Sequence, residues 1–179
     1  MILGRGSRKL SLDLASSFWC TNGLIIKSME NTVINLLENS KVAYTLGSYP
    51  TETKTAADAA KIMGVSLDAM AKTLLFQIHA TTYALVLVSC SKTVNMAKAR
   101  TILGKSCELA KKEVVESITG YPIGIVTPFG LKQSIPVYVD TALMDYTRIS
   151  TGSGQKGVEI LIAPQDLVKL TNAQIVDLI

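Results

Sequence analysis

Two apolar runs, residues 72–78 and 83–90, set the pattern of this chain. Each has strand length and is rich in leucine, valine, aromatic and other apolar side chains, with little polar alternation. Such a pair reads as a hairpin covered on both faces, turning at His79 to Thr82. Upstream, Val33, Leu36 and Leu37 share one helical face behind Asn31 or Thr32 as a cap. Residues 42–46 are strand-like and stop at Gly47. Thr55 can cap a short helix that turns Ala56, Ala59, Ala60 and Met63 inward and ends at Gly64. Ser66 opens a helical turn that delivers the chain to Lys72.

Downstream, residues 95–103 predict a helix with Met96, Ala99, Ile102 and Leu103 on one side, closed by Gly104. Residues 107–109 make a short strand and 111–118 another helix. Glycines and prolines over 119–130 forbid regular structure. Residues 135–139 and 146–149 read as strands, the first at a sheet edge because Pro136 cannot donate to a ladder. A glycine loop over 151–157 precedes a strand at 158–162. Pro164 suits a helix first turn, and the capping-box spacing of Thr171 and Gln174 predicts a terminal helix. The pattern is that of one α+β domain over residues 29–179, with a mixed, largely antiparallel sheet and flanking helices.

Composition narrows the chemistry. In 179 residues, 18% are charged and the mean hydropathy is +0.32, a globular balance without a run long enough to span a membrane. Residues 1–28 hold Arg5, Arg8, Lys9 and Lys27 against Asp13, so most of the formal net charge of +4 lies there. They faintly resemble an organelle transit peptide, but read better as a dispensable leader before Met29. Cys20, Cys90 and Cys107 have no CxxC spacing, which implies inert thiols in a reducing cytoplasm and no zinc knuckle. His79 is the only histidine, which removes most metal sites and every Ser-His or Cys-His triad.

Three features remain. Lys72, at the mouth of the first apolar run, is either a solvated strand end or a cation aimed into a cleft. Gly152-Ser-Gly154-Gln-Lys-Gly157 spells GxGxxG, but a strand follows where a dinucleotide site needs a helix N-terminus. Its amides can still face an anion. Lys92, Lys98, Arg100, Lys105, Lys111 and Lys112 surround the single acid Glu108, forming either a solvated face or a phosphate-contacting patch.

The motif order resembles the YbaK family, free-standing aminoacyl-tRNA deacylases similar to the editing insertion of bacterial prolyl-tRNA synthetases. The resemblance rests on Tyr49, then Lys72-Thr73-Leu74, then Thr119-Gly120-Tyr121 through Thr127-Pro128-Phe129-Gly130. Ser150 through Gly157-Val158-Glu159-Ile160 and Ala163-Pro164-Gln165-Asp166-Leu167 complete it. It covers nearly all of the chain from Met29 and implies a strongly twisted mixed sheet, partly closed like a barrel. By position it also implies a functional lysine at Lys72, a neighbouring threonine at Thr73, a pocket tyrosine at Tyr49, and a late serine and acid at Ser150 and Glu159. Three departures bear on the substrate. Thr55 stands where cysteine-specific members carry phenylalanine, Gly124-Ile125 replaces paired glycines, and the second glycine loop is two residues longer.

The implied reaction is hydrolysis of the ester between a small amino acid (alanine, cysteine or serine) and the terminal ribose of a mischarged tRNA. The resemblance implies no cofactor, no metal and no membrane; the partners are aminoacyl-tRNA and a synthetase such as prolyl-tRNA synthetase. Lys72, Gly120 and Gly124 are the catalytic candidates, with Lys72 on a phosphate or ribose oxygen and loop amides facing the carbonyl oxygen. Tyr49, Thr55, Thr73, Ile125, Pro128, Ser150, Gly152, Gly154 and Glu159 form the candidate pocket. Lys92, Lys98, Arg100 and Lys105 are the candidate tRNA contacts. The attacking group is water or, for a cysteinyl ester, the substrate thiolate. Thr55 and Ile125 tilt the expected preference toward alanine or serine. The alternative is a non-catalytic oligonucleotide-binding module of the same fold.

Overall fold

The computed structural model describes residues 30–179. The leader expected over 1–28, and Cys20 with it, lies outside the described residues. The elements run α1 (Glu30–Ser40), β1 (Tyr44–Ser48), α2 (Ala56–Met63), β2 (Ala71–His79), β3 (Thr82–Ser89), α3 (Met96–Leu103) and β4 (Glu108–Leu109). There follow α4 (Lys112–Thr119), β5 (Val137–Asp140), β6 (Ile149–Gly152), β7 (Val158–Ile162), α5 (Pro164–Thr171) and β8 (Gln174–Val176).

The hairpin of β2 and β3 forms in the expected place, in register from Ala71↔Ser89 to Gln77↔Tyr83. It is the centre of a five-stranded sheet ordered β4-β2-β3-β5-β8. β2 pairs antiparallel with both neighbours, while β5 joins β3 and β8 in parallel. Leu75, Leu85 and Leu87 face the main core, where α1, α4, α5 and a second sheet close over them. Phe76, Ala84, Val86 and Val88 face α3 and Leu178. Coverage of both faces explains the apolar run without alternation.

The second sheet, β1-β7-β6, is antiparallel throughout. It meets the first through one parallel bridge, Met70↔Ser150, so the strands form two sheets touching at a seam rather than the partly closed barrel that was expected. α2 packs at that seam on Met70 through Ala59 and Ala60. Its cap is as expected, with the Thr55 hydroxyl accepting from the Asp58 N–H at 3.1 Å and Gly64 left-handed at φ 67°. Asn95, read from the sequence as the first helical residue, instead caps α3, which starts at Met96.

Other expectations need correction. Gly47 lies inside β1, where a Cβ would stand 2.8 Å from both Leu161 Cδ1 and Met63 Sδ; it allows a close approach rather than ending the strand. α1 begins at Glu30, so Asn31 and Thr32 lie in its first turn. β5 is internal: Pro136 precedes the strand, and its carbonyl, which proline keeps, accepts the Leu85 N–H at 2.9 Å. The strand expected at 146–149 is displaced to β6, behind a 3-10 turn over Thr141–Asp145 capped by Asp140. The terminal helix is absent. The Thr171 hydroxyl bonds back to the Leu167 carbonyl at 2.8 Å, Asn172 ends α5 with φ 51°, and β8 pairs with β5. Pairing along an open sheet edge there outweighs a local capping motif.

Candidate active site

A cleft of about 490 Å³ opens at the seam, where the start of β2 meets α2 and the two glycine loops. β2 brings Ala71, Lys72, Thr73 and Leu74 to it. The segment before α2 brings Tyr49, Thr51, Thr53, Lys54 and Thr55. The loops bring Ile123, Gly124, Val126, Gly152 and Lys156, and β7 brings Glu159.

The Lys72 ammonium donates to the carbonyls of Cys90, at 3.5 Å, and Lys92. Both acceptors lie just past the end of β3, so the hairpin register itself fixes the cation at the strand mouth. One residue on, the buried Thr73 hydroxyl finds no partner among the described residues. The Thr151 hydroxyl on β6 is likewise buried and unpaired. Buried polar groups without partners are costly and uncommon in folded proteins.

Among the described residues Glu159 is the only carboxylate in the lining. It accepts from the Ser150 hydroxyl at 3.1 Å and is hydrogen-bonded to Tyr49. Burial pushes its carboxyl up to about 7, against the pull of those two hydroxyls. Burial, reinforced by Glu159, also raises the Tyr49 phenol. The Tyr49 N–H donates to the Gly157 carbonyl at 2.9 Å, which ties the tyrosine to the second glycine loop. Burial drives the Cys90 thiol up to about 11 although Lys72 opposes it, so this cleft cysteine is a neutral thiol at physiological pH.

The first glycine loop is braced from inside. The Tyr121 hydroxyl donates to the Phe129 carbonyl at 3.0 Å, and the Thr119 hydroxyl accepts the Tyr121 N–H at 3.1 Å. A Cβ on Gly152 would lie 2.6 Å from the Val126 carbonyl oxygen, so the two loops can meet only with glycine there. Gly120 and Gly124 are not equivalent. Gly120 ends α4 and donates its N–H to the Glu116 carbonyl at 2.9 Å, which leaves that amide unable to serve an oxyanion. Gly124, at φ 90°, lines the cleft, and its N–H has no acceptor among the described residues.

Of the residues singled out in the sequence, the fold brings Tyr49, Thr55, Lys72, Thr73, Gly124, Gly152 and Glu159 into one lining. Ser150 touches it through Glu159. Gly120, Ile125, Pro128 and Gly154 stand outside it: Pro128 is buried, and Gly154 packs on the Tyr121 ring. The Thr55 hydroxyl donates to the Asp58 carboxylate at 2.6 Å while accepting its N–H, so its proton serves the helix cap rather than a substrate. Lys92, Lys98, Arg100 and Lys105 are also outside the lining, and Lys98 is ion-paired with Asp177 at 2.6 Å. Sequence reading missed Lys54, Lys156, Ile123 and Cys90. Cys90 was within reach of the hairpin register, which carries the residue after Ser89 to the mouth of β2. Among the described residues no three His, Cys, Asp or Glu side chains cluster as a metal site would require, and no helix is long and apolar enough to cross a membrane.

Comparison with known proteins bears on the family and the fold. The family model for the aminoacyl-tRNA editing domain matches residues 50–170. The uncharacterized protein YwhH of Bacillus subtilis is 30% identical over 128 residues, 71% of this chain and 81% of its own length. EbsC of Enterococcus faecalis, whose name proposes Cys-tRNA(Pro)/Cys-tRNA(Cys) deacylation, is 26% identical over 69% of this chain and 76% of its own. The proline–tRNA ligase of Sulfurihydrogenibium is 30% identical over 66% of this chain, a span that is 21% of that larger protein. A crystal structure reported as a candidate trans-editing enzyme for prolyl-tRNA synthetase superposes with a TM-score of 0.77 at 28% identity, over 86% of this chain and 98% of the other.

Proposed function

The chain belongs to the aminoacyl-tRNA editing domain family, and from that premise we propose that it hydrolyses the ester of a small amino acid on a mischarged tRNA. It acts in trans, in the cytoplasm, on errors of the kind a prolyl-tRNA synthetase makes. One observation carries the reading. Within the matched span, a single cleft joins the Lys72 cation, the unspent Gly124 N–H and one carboxylate, Glu159.

Each group has a task in ester hydrolysis. Water adds to the carbonyl carbon, the bond to the ribose oxygen breaks, and the water's proton leaves on that oxygen. Negative charge gathers on the carbonyl oxygen in between, where the Gly124 N–H is a preorganised donor. Lys72 neutralises a phosphate or ribose oxygen of the terminal nucleotide and fixes the ester in place. Glu159, once ionised, accepts the substrate's α-ammonium, the one positive charge that every aminoacyl ester carries. The neutral Cys90 thiol is no nucleophile at working pH, so water, or the thiolate of a cysteinyl substrate, is the attacking group.

Selection of the amino acid falls to the apolar wall of Ala59, Met70, Ile123 and Val126. Such walls separate substrates one methylene apart by only about 1–3 kcal/mol. With the Thr55 hydroxyl engaged in its cap and Ile125 outside the lining, the case for alanine or serine over cysteine loses its support. Alanine, cysteine and serine are the candidates. Release of labelled amino acid from Ala-, Cys-, Ser- and Pro-tRNA tests the proposal: at least one small aminoacyl ester is cleaved by the protein and spared by Lys72→Ala. Equal stability of all four esters with and without protein would refute it.

A further inference from the structure

The cleft lining holds three cations, Lys54, Lys72 and Lys156, against one carboxylate. Only Lys72 has its ammonium engaged, by two backbone carbonyls. Lys54 and Lys156 are exposed, and neither has a hydrogen bond or an ion pair among the described residues. They sit on neighbouring segments: the Tyr49 N–H bonds to the Gly157 carbonyl, and a Cβ on Gly157 would meet the Tyr49 carbonyl at 2.7 Å. Both lysines therefore line the one cleft that also holds Lys72 and Glu159. The basic stretch at 92–105 differs. Its Lys98 is neutralised by Asp177, and none of its four cations lines the cleft.

An aminoacyl ester at the end of a tRNA arrives with phosphodiesters one and two nucleotides behind the reacting carbonyl. Unpaired lysines at the mouth suit those charges, because each phosphate neutralised releases bound counterions. We propose that Lys54 and Lys156 form a clamp for the terminal phosphodiesters of single-stranded RNA, and that this clamp, not the 92–105 stretch, carries most of the RNA affinity. The inference rests on the deacylase reading for its choice of ligand, and it locates the RNA path on the glycine-loop side of the cleft.

The test compares the full chain with Lys54→Gln/Lys156→Gln on two ligands. With aminoacyl-tRNA, the double variant raises KM about 10-fold with kcat within about 2-fold, and the log–log salt slope falls by about 1.4 for two single-strand phosphate contacts. With an aminoacyl-adenosine, which has no phosphate, both proteins react alike. Binding of uncharged tRNA by fluorescence anisotropy gives a readout independent of turnover. Affinity lost in the double variant while the wild type cleaves neither ester would uphold the clamp and sink the deacylase reading. Unchanged tRNA affinity and salt slope would overturn the clamp. So would a larger loss from Lys98→Glu/Arg100→Glu made in parallel, or equal slowing of the phosphate-free ester, which would put the two lysines in the chemistry or the fold instead.

Discussion

Asp140 and Glu159 are both carboxylates taken out of bulk solvent, and the molecule treats them in opposite ways. Asp140, fully buried, accepts the Ala142 N–H at 2.9 Å and the Leu178 N–H at 2.7 Å. It thereby pins the 3-10 turn after β5 to the C-terminal residues, and Leu178 in turn accepts the Asn95 N–H that opens the α3 region. Two fixed backbone amides thus satisfy both of its side-chain oxygens. Among the described residues Glu159 has only hydroxyl partners, which can turn, and burial pushes its carboxyl up to about 7. The surroundings of Asp140 lock two segments together; those of Glu159 leave a charge that ligand or pH can change. The same contrast separates the sheet interior from the seam, where two threonine hydroxyls and the Gly124 N–H stand unpaired.

Substitutions can break this contrast at either end. The largest effect is expected at Lys72, where Lys72→Ala lowers kcat/KM for deacylation by about 10³-fold, on the order of 4 kcal/mol. Its thermal midpoint stays nearly unchanged, because its only partners are carbonyls at a strand mouth; a matching drop in midpoint would make Lys72 a structural residue. Asp140→Ala acts in reverse. It leaves one buried and one part-buried N–H without an acceptor and lowers stability by about 3 kcal/mol in urea unfolding, while kcat of the folded fraction is retained.

Glu159→Gln gives a smaller effect whose size depends on pH. The folded carboxyl titrates near 7, above its ordinary value of 4.5. The native state therefore holds the proton that the unfolded state loses across that interval, and stability falls as pH rises from about 4.5 to 7. The glutamine variant escapes that loss. It should exceed the wild type by on the order of 2 kcal/mol at pH 8 and match it near pH 4.5. A pH-independent gap would mean that Glu159 is not the group responsible. Smallest of all, Thr73→Val removes an unpaired buried hydroxyl and should raise stability by up to about 1 kcal/mol, at a cost in kcat/KM where that hydroxyl meets substrate. A destabilised Thr73→Val protein would show that the hydroxyl already has a partner.

Much of the scaffold was legible because local and tertiary demands agree. The β2–β3 hairpin, the Thr55 cap and the Pro164 start of α5 follow from short-range chemistry that packing then reinforces. Where the two conflict, sequence reading fails. Thr171 and Gln174 have capping-box spacing, yet the chain there completes a sheet edge as β8. At the site, the motif order points to the right loops but not to the right atoms. Gly120 and Gly124 lie four residues apart in one glycine-rich loop, and only the end of α4 decides which N–H is already engaged. Lys54 and Lys156 are 102 residues apart in the numbering and line one cleft in a fold that holds Tyr49 against Gly157. A run of basic residues in sequence, by contrast, is conspicuous whether or not its charges are free, as Lys98 and Asp177 illustrate.

The claim at the centre of this account is that the cleft carboxylate works and the buried one at Asp140 only holds. The pH profile of kcat/KM between pH 5.5 and 8.5, wild type against Glu159→Gln and corrected for spontaneous ester hydrolysis, tests it most directly. Since kcat/KM reports the free enzyme, the wild type should rise with pH through a midpoint close to 7 as Glu159 ionises, and the glutamine variant should be about 10-fold slower or more with that limb gone. A limb of the same midpoint surviving in Glu159→Gln would contradict the account and return Glu159 to the structural role that Asp140 plays.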